Sequence, residues 1–213
     1  MFKKRVHSVF ERFWLDELKQ EKIVNGANSN KLRFYETLKG SFSREPYIDL
    51  VQSRNQRSFL TRLRCSAHNL EIEKLRYSRP SIPAYSRICR FCVSGEIGDE
   101  KHFVMNCNTF STKRACFMGK MNSIIPGFCD LSNDDRLKTI LCPKSSAAVK
   151  IVSKFIRIMF LARDKISDDV DLNEYSTMPV NIRPFEGDYE NFSDCDEWEE
   201  SFTELCLSEF END

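Results

Sequence analysis

Three cysteines and one histidine lie near the middle of the 213-residue chain in the order and spacing of metal ligands. They are Cys89, Cys92, His102 and Cys107, and they form the pattern C-x2-C-x9-H-x4-C. Structural zinc is held by four thiolate or imidazole ligands, and a two-residue gap lets one turn present two sulfurs to the same ion. The stretch 93–98 between the two halves is rich in glycine and serine, which favour the turn that would close such a site. The pattern therefore predicts a structural Zn²⁺ site.

Formal charge is distributed very unevenly along the chain, although it sums to zero. Residues 1–165 contain 31 lysines and arginines against 16 acidic residues, a net charge of +15. Residues 166–213 contain one arginine against 16 acidic residues, a net charge of −15. A basic body favours a polyanionic partner, RNA or DNA, and an acidic segment with few aliphatic residues is typical of a disordered tail. The alternative is that both segments are ordinary solvated surface.

Cysteine content and hydropathy indicate the compartment. The chain has nine cysteines. Its start at residues 1–5 does not resemble a signal peptide. Its longest apolar run, residues 156–162, contains Arg157 and is too short for a membrane-spanning helix. In a reducing compartment a cysteine cluster more often binds metal than forms disulfides. We therefore expect a soluble, intracellular protein, in the nucleus or cytoplasm, with no membrane contact.

Hydrophobic periodicity predicts a mostly α-helical fold: a small helical bundle with an inserted zinc-stapled loop and a disordered acidic C-terminal tail. The expected segments are an N-terminal amphipathic helix (1–25), a basic helical segment (30–80), a CCHC zinc-binding module (81–115), C-terminal helices that pack on the body (116–165) and the acidic tail (166–213).

Three helices are predicted in more detail. One begins at Pro46, because proline is tolerated in a first turn, and runs as far as about Leu70. A second is capped by Ser132, and a third runs from about Ser145 to Lys165. The third is apolar on more than one face, which is typical of a helix buried in a core.

Two stretches of the chain together resemble a known family. The first is Thr61-Arg62-Leu63-Arg64 followed by His68, and the second is the Cys89 to Cys107 run with an acidic residue before His102 and the pair Phe103-Val104 before the last cysteine. This arrangement resembles the region downstream of the polymerase in non-LTR (LINE-like) retrotransposon proteins, where a helix of this type precedes a CCHC reverse-transcriptase zinc-binding domain. The resemblance covers about residues 31–165 and excludes the tail.

The resemblance implies a nucleic-acid-binding accessory module without a catalytic domain. The paired aspartates of the chain lie in polar contexts that lack the apolar hairpin of a polymerase site, so we expect no enzymatic activity. We expect the metal to hold loop residues beside a basic helix and so to form a surface for phosphates. The expected phosphate-binding residues are Arg57, Arg62 and Arg64 on the helix and Arg87, Arg90 and Lys101 around the metal.

Other residues near the motif have two possible roles. Tyr85 and Phe91 could stack on unpaired bases, but Phe91 lies between two ligands and could equally pack inside the loop. Cys65 and His68 lie three residues apart on a predicted helix and could join a second metal site or act as a Cys-His catalytic pair. We expect them instead to be structural, the cysteine packed as a small apolar residue and the histidine hydrogen-bonded within the bundle.

The tail suggests a different class of function. Acidic residues there are interspersed with Trp198, Phe202, Leu205 and Phe210 at helical spacing. Such a segment could bind a protein partner's groove, or it could mask the chain's own basic face. An interaction or adaptor protein acting through residues 166–213 is therefore the alternative to the nucleic-acid-binding module.

Overall fold

The structure is a computed structural model that describes residues 8–17, 19, 32–39 and 43–169. The described chain is mostly helical, as predicted. The predicted tail lies outside the described residues from position 170 onward. The α-helices are α1 (residues 8–17), α2 (Tyr35–Leu38), α3 (Pro46–Leu50), α4 (Arg54–Arg64), α5 (Glu71–Lys74), α6 (Ser111–Ile124), α7 (Asn133–Leu141) and α8 (Ser146–Asp169).

Helix α8 lies at the centre of the bundle, and α3, α4 and α6 pack against it. Phe155 stacks on Phe117 of α6 with a centroid separation of 3.8 Å, and Phe160 stacks on Phe59 of α4 at 5.6 Å. Burying such a side chain stabilises the fold by roughly 1.5–3 kcal/mol. The prediction of a long helix buried in the core is confirmed. Its fully or nearly fully buried residues include Val149, Val152, Phe155, Ile156, Met159 and Phe160.

The single helix predicted from Pro46 to about Leu70 is wrong. Val51 and Ser53 have extended backbone, and Ser53 caps a new helix by accepting a hydrogen bond from the backbone N–H of Gln56 at 3.4 Å. Helix α4 then ends at Arg64, and Ser66 has a positive φ of 50°, which no α-helix can include. A serine cap and a left-handed residue thus divide the stretch that was predicted as one helix.

The predicted cap of α7 is confirmed, because the Ser132 hydroxyl accepts a hydrogen bond from the backbone N–H of Asp135 at 3.2 Å. Helix α1 also agrees in type, since residues 8–17 are helical. Its apolar face is only partly covered: Trp14 contacts Tyr35 edge-on, whereas Phe10 and Phe13 are exposed. The rest of the predicted 1–25 helix, apart from residue 19, lies outside the described residues.

Within the described ranges, no helix combines the length and the apolar character needed to cross a membrane.

Candidate metal centre

Residues 87–107 form a loop that folds back on itself. One antiparallel bridge joins Ile88 and Ile97, and the backbone N–H of Cys89 donates to the carbonyl of Glu96 at 2.9 Å. After this bridge the chain enters a short π-helical turn, His102–Asn106. The bridge and the turn place the two halves of the predicted site opposite each other.

The four predicted ligands converge on one point. Their ligand atoms all lie within 4.8 Å of one another. Cys92 Sγ is 3.3 Å from His102 Nε2, and Cys89 Sγ is 4.0 Å from Cys107 Sγ. A tetrahedral ion bound at ordinary Zn–S and Zn–N lengths separates its ligand atoms by about 3.5–3.8 Å. The donor set and its spacing therefore fit a metal ion held by three sulfurs and one nitrogen.

The ring of His102 is held in the orientation that a metal ligand needs. Its Nδ1 is 2.5 Å from the carboxylate of Glu96, which leaves Nε2 to face the sulfurs. Asp99 accepts a hydrogen bond from the backbone N–H of His102 at 2.8 Å and so fixes the start of the turn. Metal-bound histidines usually donate their second ring N–H to a carboxylate or carbonyl, because this bond fixes the ring and raises its basicity.

Backbone amides support the three sulfurs in a regular way. Each sulfur accepts a hydrogen bond from the N–H two residues further along the chain, provided by Phe91, Ser94 and Thr109 for Cys89, Cys92 and Cys107. Such bonds favour the thiolate, which is the form that binds metal. The backbone of the loop therefore favours the thiolate form of the three cysteines.

Without a metal, the ligands share protons among themselves. The hydrogen bond between Cys89 and Cys107, together with burial, raises the pKa of Cys89 to about 12, and the same bond lowers the pKa of Cys107. Burial alone would lower the pKa of His102, but hydrogen bonds with Cys89 and Glu96 outweigh it and raise that pKa to about 9. Metal binding near pH 7 must therefore displace protons from both the thiols and the imidazole, so affinity falls as the pH falls.

The loop is anchored to the bundle by an arginine of α8. Arg163 is buried, donates to Glu71 at 2.8 Å and to the Asn69 carbonyl at 3.0 Å, and lies over the Phe91 ring at 4.6 Å. Arg90 lies over the same ring at 4.8 Å. Phe91 thus contacts two guanidinium groups, which supports the packing role considered above over base stacking. Tyr85, by contrast, is 76% exposed.

Gly98 lets α5 approach the loop closely. A Cβ at this position would lie 2.5 Å from Glu71 Oε2 and 3.2 Å from the Cα of Cys89. The Gly98 carbonyl accepts a hydrogen bond from the Ile72 N–H at 3.1 Å. Any larger residue here would separate the first metal-ligand turn from the helix that supports it.

A buried ionic network lies directly behind the metal turn and was not predicted from the sequence. Glu100 is fully buried, and its carboxylate contacts Arg33 at 2.5 Å, His68 at 2.8 Å and the Ser66 hydroxyl at 2.5 Å. Arg33 also pairs with Glu73 at 2.6 Å. Burial alone would raise the pKa of Glu100, but these partners, His68 first, lower it to about 2. The structural role predicted for His68 is confirmed by its hydrogen bond.

Two of the six predicted phosphate-binding residues are buried, so their predicted exposure is wrong. Arg64 is 1% exposed, pairs with Glu45 at 2.7 Å and donates to the Leu141 carbonyl at 2.7 Å. Arg87 is 6% exposed and donates to the carbonyls of Ile82 and Ile72 at 3.0 and 2.8 Å. Both guanidinium groups therefore bond to acceptors inside the protein.

The other four predicted residues are at least partly accessible, but they lie on different elements. Arg57 and Arg62 are half-buried on α4, and Arg57 donates to two backbone carbonyls at the junction between α3 and α4. Arg90 pairs with Glu71 at 3.4 Å, and Lys101 pairs with the exposed Asp134 at 2.6 Å. The geometry therefore brings the metal ligands together, whereas the predicted basic residues lie on separate elements.

Comparisons of the chain with protein-family models, with curated proteins and with solved structures find no match. The function of the chain is therefore inferred from its own residues and their geometry.

Replacing Glu96 by glutamine should weaken metal binding about 10–100-fold, because His102 loses the carboxylate that orients its ring. Competition with a chelating dye measures this affinity. The matched control is Asp49→Asn, which removes an exposed carboxylate outside the cluster. Equal metal affinities for the two variants would contradict an orienting role for Glu96.

Proposed function

We propose that this chain is a zinc-dependent nucleic-acid-binding accessory module with no catalytic domain of its own. The observation that carries this proposal is the convergence of Cys89, Cys92, His102 and Cys107 into one four-ligand cluster. The resemblance to the region after the polymerase in non-LTR retrotransposon proteins supports the nucleic-acid part.

The donor set favours zinc in a structural role. Three thiolates and one imidazole in tetrahedral spacing suit Zn²⁺, and softer ligands disfavour Mg²⁺ or Ca²⁺. Catalytic zinc sites keep a coordination position open for water or substrate, whereas here four protein ligands would complete the shell. Cys89, His102 and Cys107 are also buried, which leaves little access for a substrate. The metal would thus stabilise the fold of the loop.

The charge of the body favours a nucleic-acid partner. Residues 1–165 carry a net charge of +15, and binding of cations to phosphates releases counterions from the nucleic acid. Lys101 contributes to this surface, because its pairing with the exposed Asp134 is weak enough for a phosphate to replace. The exposed ring of Tyr85 adds a platform on which an unpaired base can stack.

The test is binding of the zinc-loaded full-length chain to structured RNA and to duplex DNA at salt concentrations from about 50 to 200 mM. If six or more phosphates are contacted, affinity should fall by about 10³-fold or more over this range. Lys101→Gln should reduce the slope of log affinity against log salt by about 0.9 on duplex DNA. Lys138→Gln, an exposed lysine on α7, is the control. Affinity that is absent, or unaffected by both salt and removal of zinc, would overturn the proposal.

A further inference from the structure

Two packed helices present basic residues with no carboxylate among them. Helix α6, Ser111–Ile124, contains no acidic residue, and neither do residues 146–163 of α8. The stacked rings of Phe117 and Phe155 hold the two helices together. Arg114 and Arg163 satisfy acceptors inside the protein. The other basic residues of these two stretches, here called the basic ridge, are Lys113, Lys120, Lys150, Lys154 and Arg157.

Spacing and proximity connect four of the five residues of the basic ridge. Lys150, Lys154 and Arg157 are spaced i, i+4, i+7, so they lie on one face of α8. Lys150 and Lys154 are exposed. Lys120 of α6 lies near Lys154. Burial lowers the pKa of Lys120, and the neighbouring positive charge of Lys154 lowers it further. Positive charges clustered in this way favour the binding of an anionic segment.

An anionic segment is tethered to the end of the same helix. Residues 170–213 follow α8 directly and contain 14 acidic residues against one arginine. Five of the seven residues at 194–200 are acidic. Lys154 lies about 22 Å along α8 from Asp169. The 25 residues from 169 to 194 can span at most about 80–90 Å. Chain length therefore permits residues 194–200 to contact any part of the ridge.

We propose that the basic ridge on α6 and α8 is the binding surface for the acidic segment 194–200 of the same chain. Tethering gives the segment an effective concentration of the order of millimolar, which compensates for the weakness of each exposed ion pair. The further consequence, which rests on the function proposed above, is that the segment competes with phosphates for the body. The chain thus contains its own anionic competitor for nucleic acid.

Zero-length carbodiimide cross-linking of the zinc-loaded full-length chain tests the contact without nucleic acid. At low salt, carboxylates of 194–200 should link to Lys120, Lys150 and Lys154 at least about tenfold more than to the control lysines. The controls are Lys138 and Lys144, which are exposed and lie outside the ridge. At 1 M salt this preference should disappear, because screening is then nearly complete. Mixing isotopically labelled with unlabelled chains separates links within a chain from links between chains. Links spread evenly over all lysines, or links mostly between chains, would overturn the proposal.

Charge reversal supplies the second test. In Lys150→Glu/Lys154→Glu, links to the unchanged amines of Lys113 and Lys120 should fall to the level seen at 1 M salt. The matched variant Lys138→Glu/Lys144→Glu should retain them. Persistence of the links in the first variant would contradict the proposal.

Nucleic-acid binding separates the two proposals. Replacing the five acidic residues of 194–200 by their amides should increase affinity for RNA or DNA, whereas the same replacement of Asp168, Asp169, Asp171, Glu174 and Glu186 should increase it less. If the cross-links follow the expected pattern but no variant binds nucleic acid, the contact between ridge and segment stands and the proposed function fails. If nucleic acid binds and the cross-links show no preference for the ridge, the proposed function stands and the contact between ridge and segment fails.

Discussion

Replacing Cys92 by serine should abolish stoichiometric zinc binding and unfold the loop of residues 87–107. The loss of affinity should exceed the roughly 10–100-fold that follows from losing a partner outside the coordination shell, because one of four ligands is removed. Zinc binding supplies about 10–16 kcal/mol of apparent free energy to small modules of this kind, so the loop has little stability without it.

Mass spectrometry under native conditions measures the bound metal, and hydrogen exchange measures protection of the Cys89 amide that bonds to Glu96. The control is Cys129→Ser, because Cys129 is a free, exposed cysteine outside the cluster. A Cys92→Ser protein that retains one zinc and the melting curve of the parent would show that the ligand assignment is wrong.

Replacing Glu100 by alanine should lower the free energy of unfolding by about 3–5 kcal/mol even when zinc is saturating. The reason is that Arg33 and His68 would remain buried without the carboxylate that both contact. Glu100→Gln should cost less, since an amide can still accept from the Ser66 hydroxyl. Urea unfolding of the zinc-loaded proteins measures these differences.

The matched control for Glu100 is Asp134→Asn, which breaks the exposed pair with Lys101. Exposed pairs contribute only about 0–1 kcal/mol, because solvent screens them and both side chains lose entropy on pairing. If Glu100→Ala were no more destabilising than Asp134→Asn, the buried network would not be a determinant of stability.

Local patterns allowed much of the fold and the metal cluster to be predicted. The ligand spacing, the cap at Ser132 and the apolar faces of α8 each depend on residues close together in sequence. The break between α3 and α4 was missed because the cap at Ser53 was not taken into account, although residues 52–58 are all polar.

The remaining features depend on pairs that are distant in sequence. Arg33 contacts Glu100 across 67 positions, and Arg64 contacts Leu141 across 77. An arginine in a helix is exposed by default, and nothing in its neighbouring residues indicates a buried acceptor elsewhere in the chain. Charge counting therefore assigned Arg64 and Arg87 to the surface when both are structural. The role of Glu96 was also missed, although an acidic residue six positions before a ligand histidine is a signal that could have suggested it.

The metal loop and the bundle share one hydrophobic core. Cys89 and Cys107 belong to the same buried cluster as the residues of α8, and Phe103 of the π-helical turn contacts Phe160 with a centroid separation of 5.0 Å. A ligand that binds only the folded state stabilises everything that unfolds with its site, by about 2.7 kcal/mol at a free concentration of 100 Kd. The melting temperature of the whole described body, and with it the amount of folded protein, should therefore follow the free zinc concentration of its surroundings.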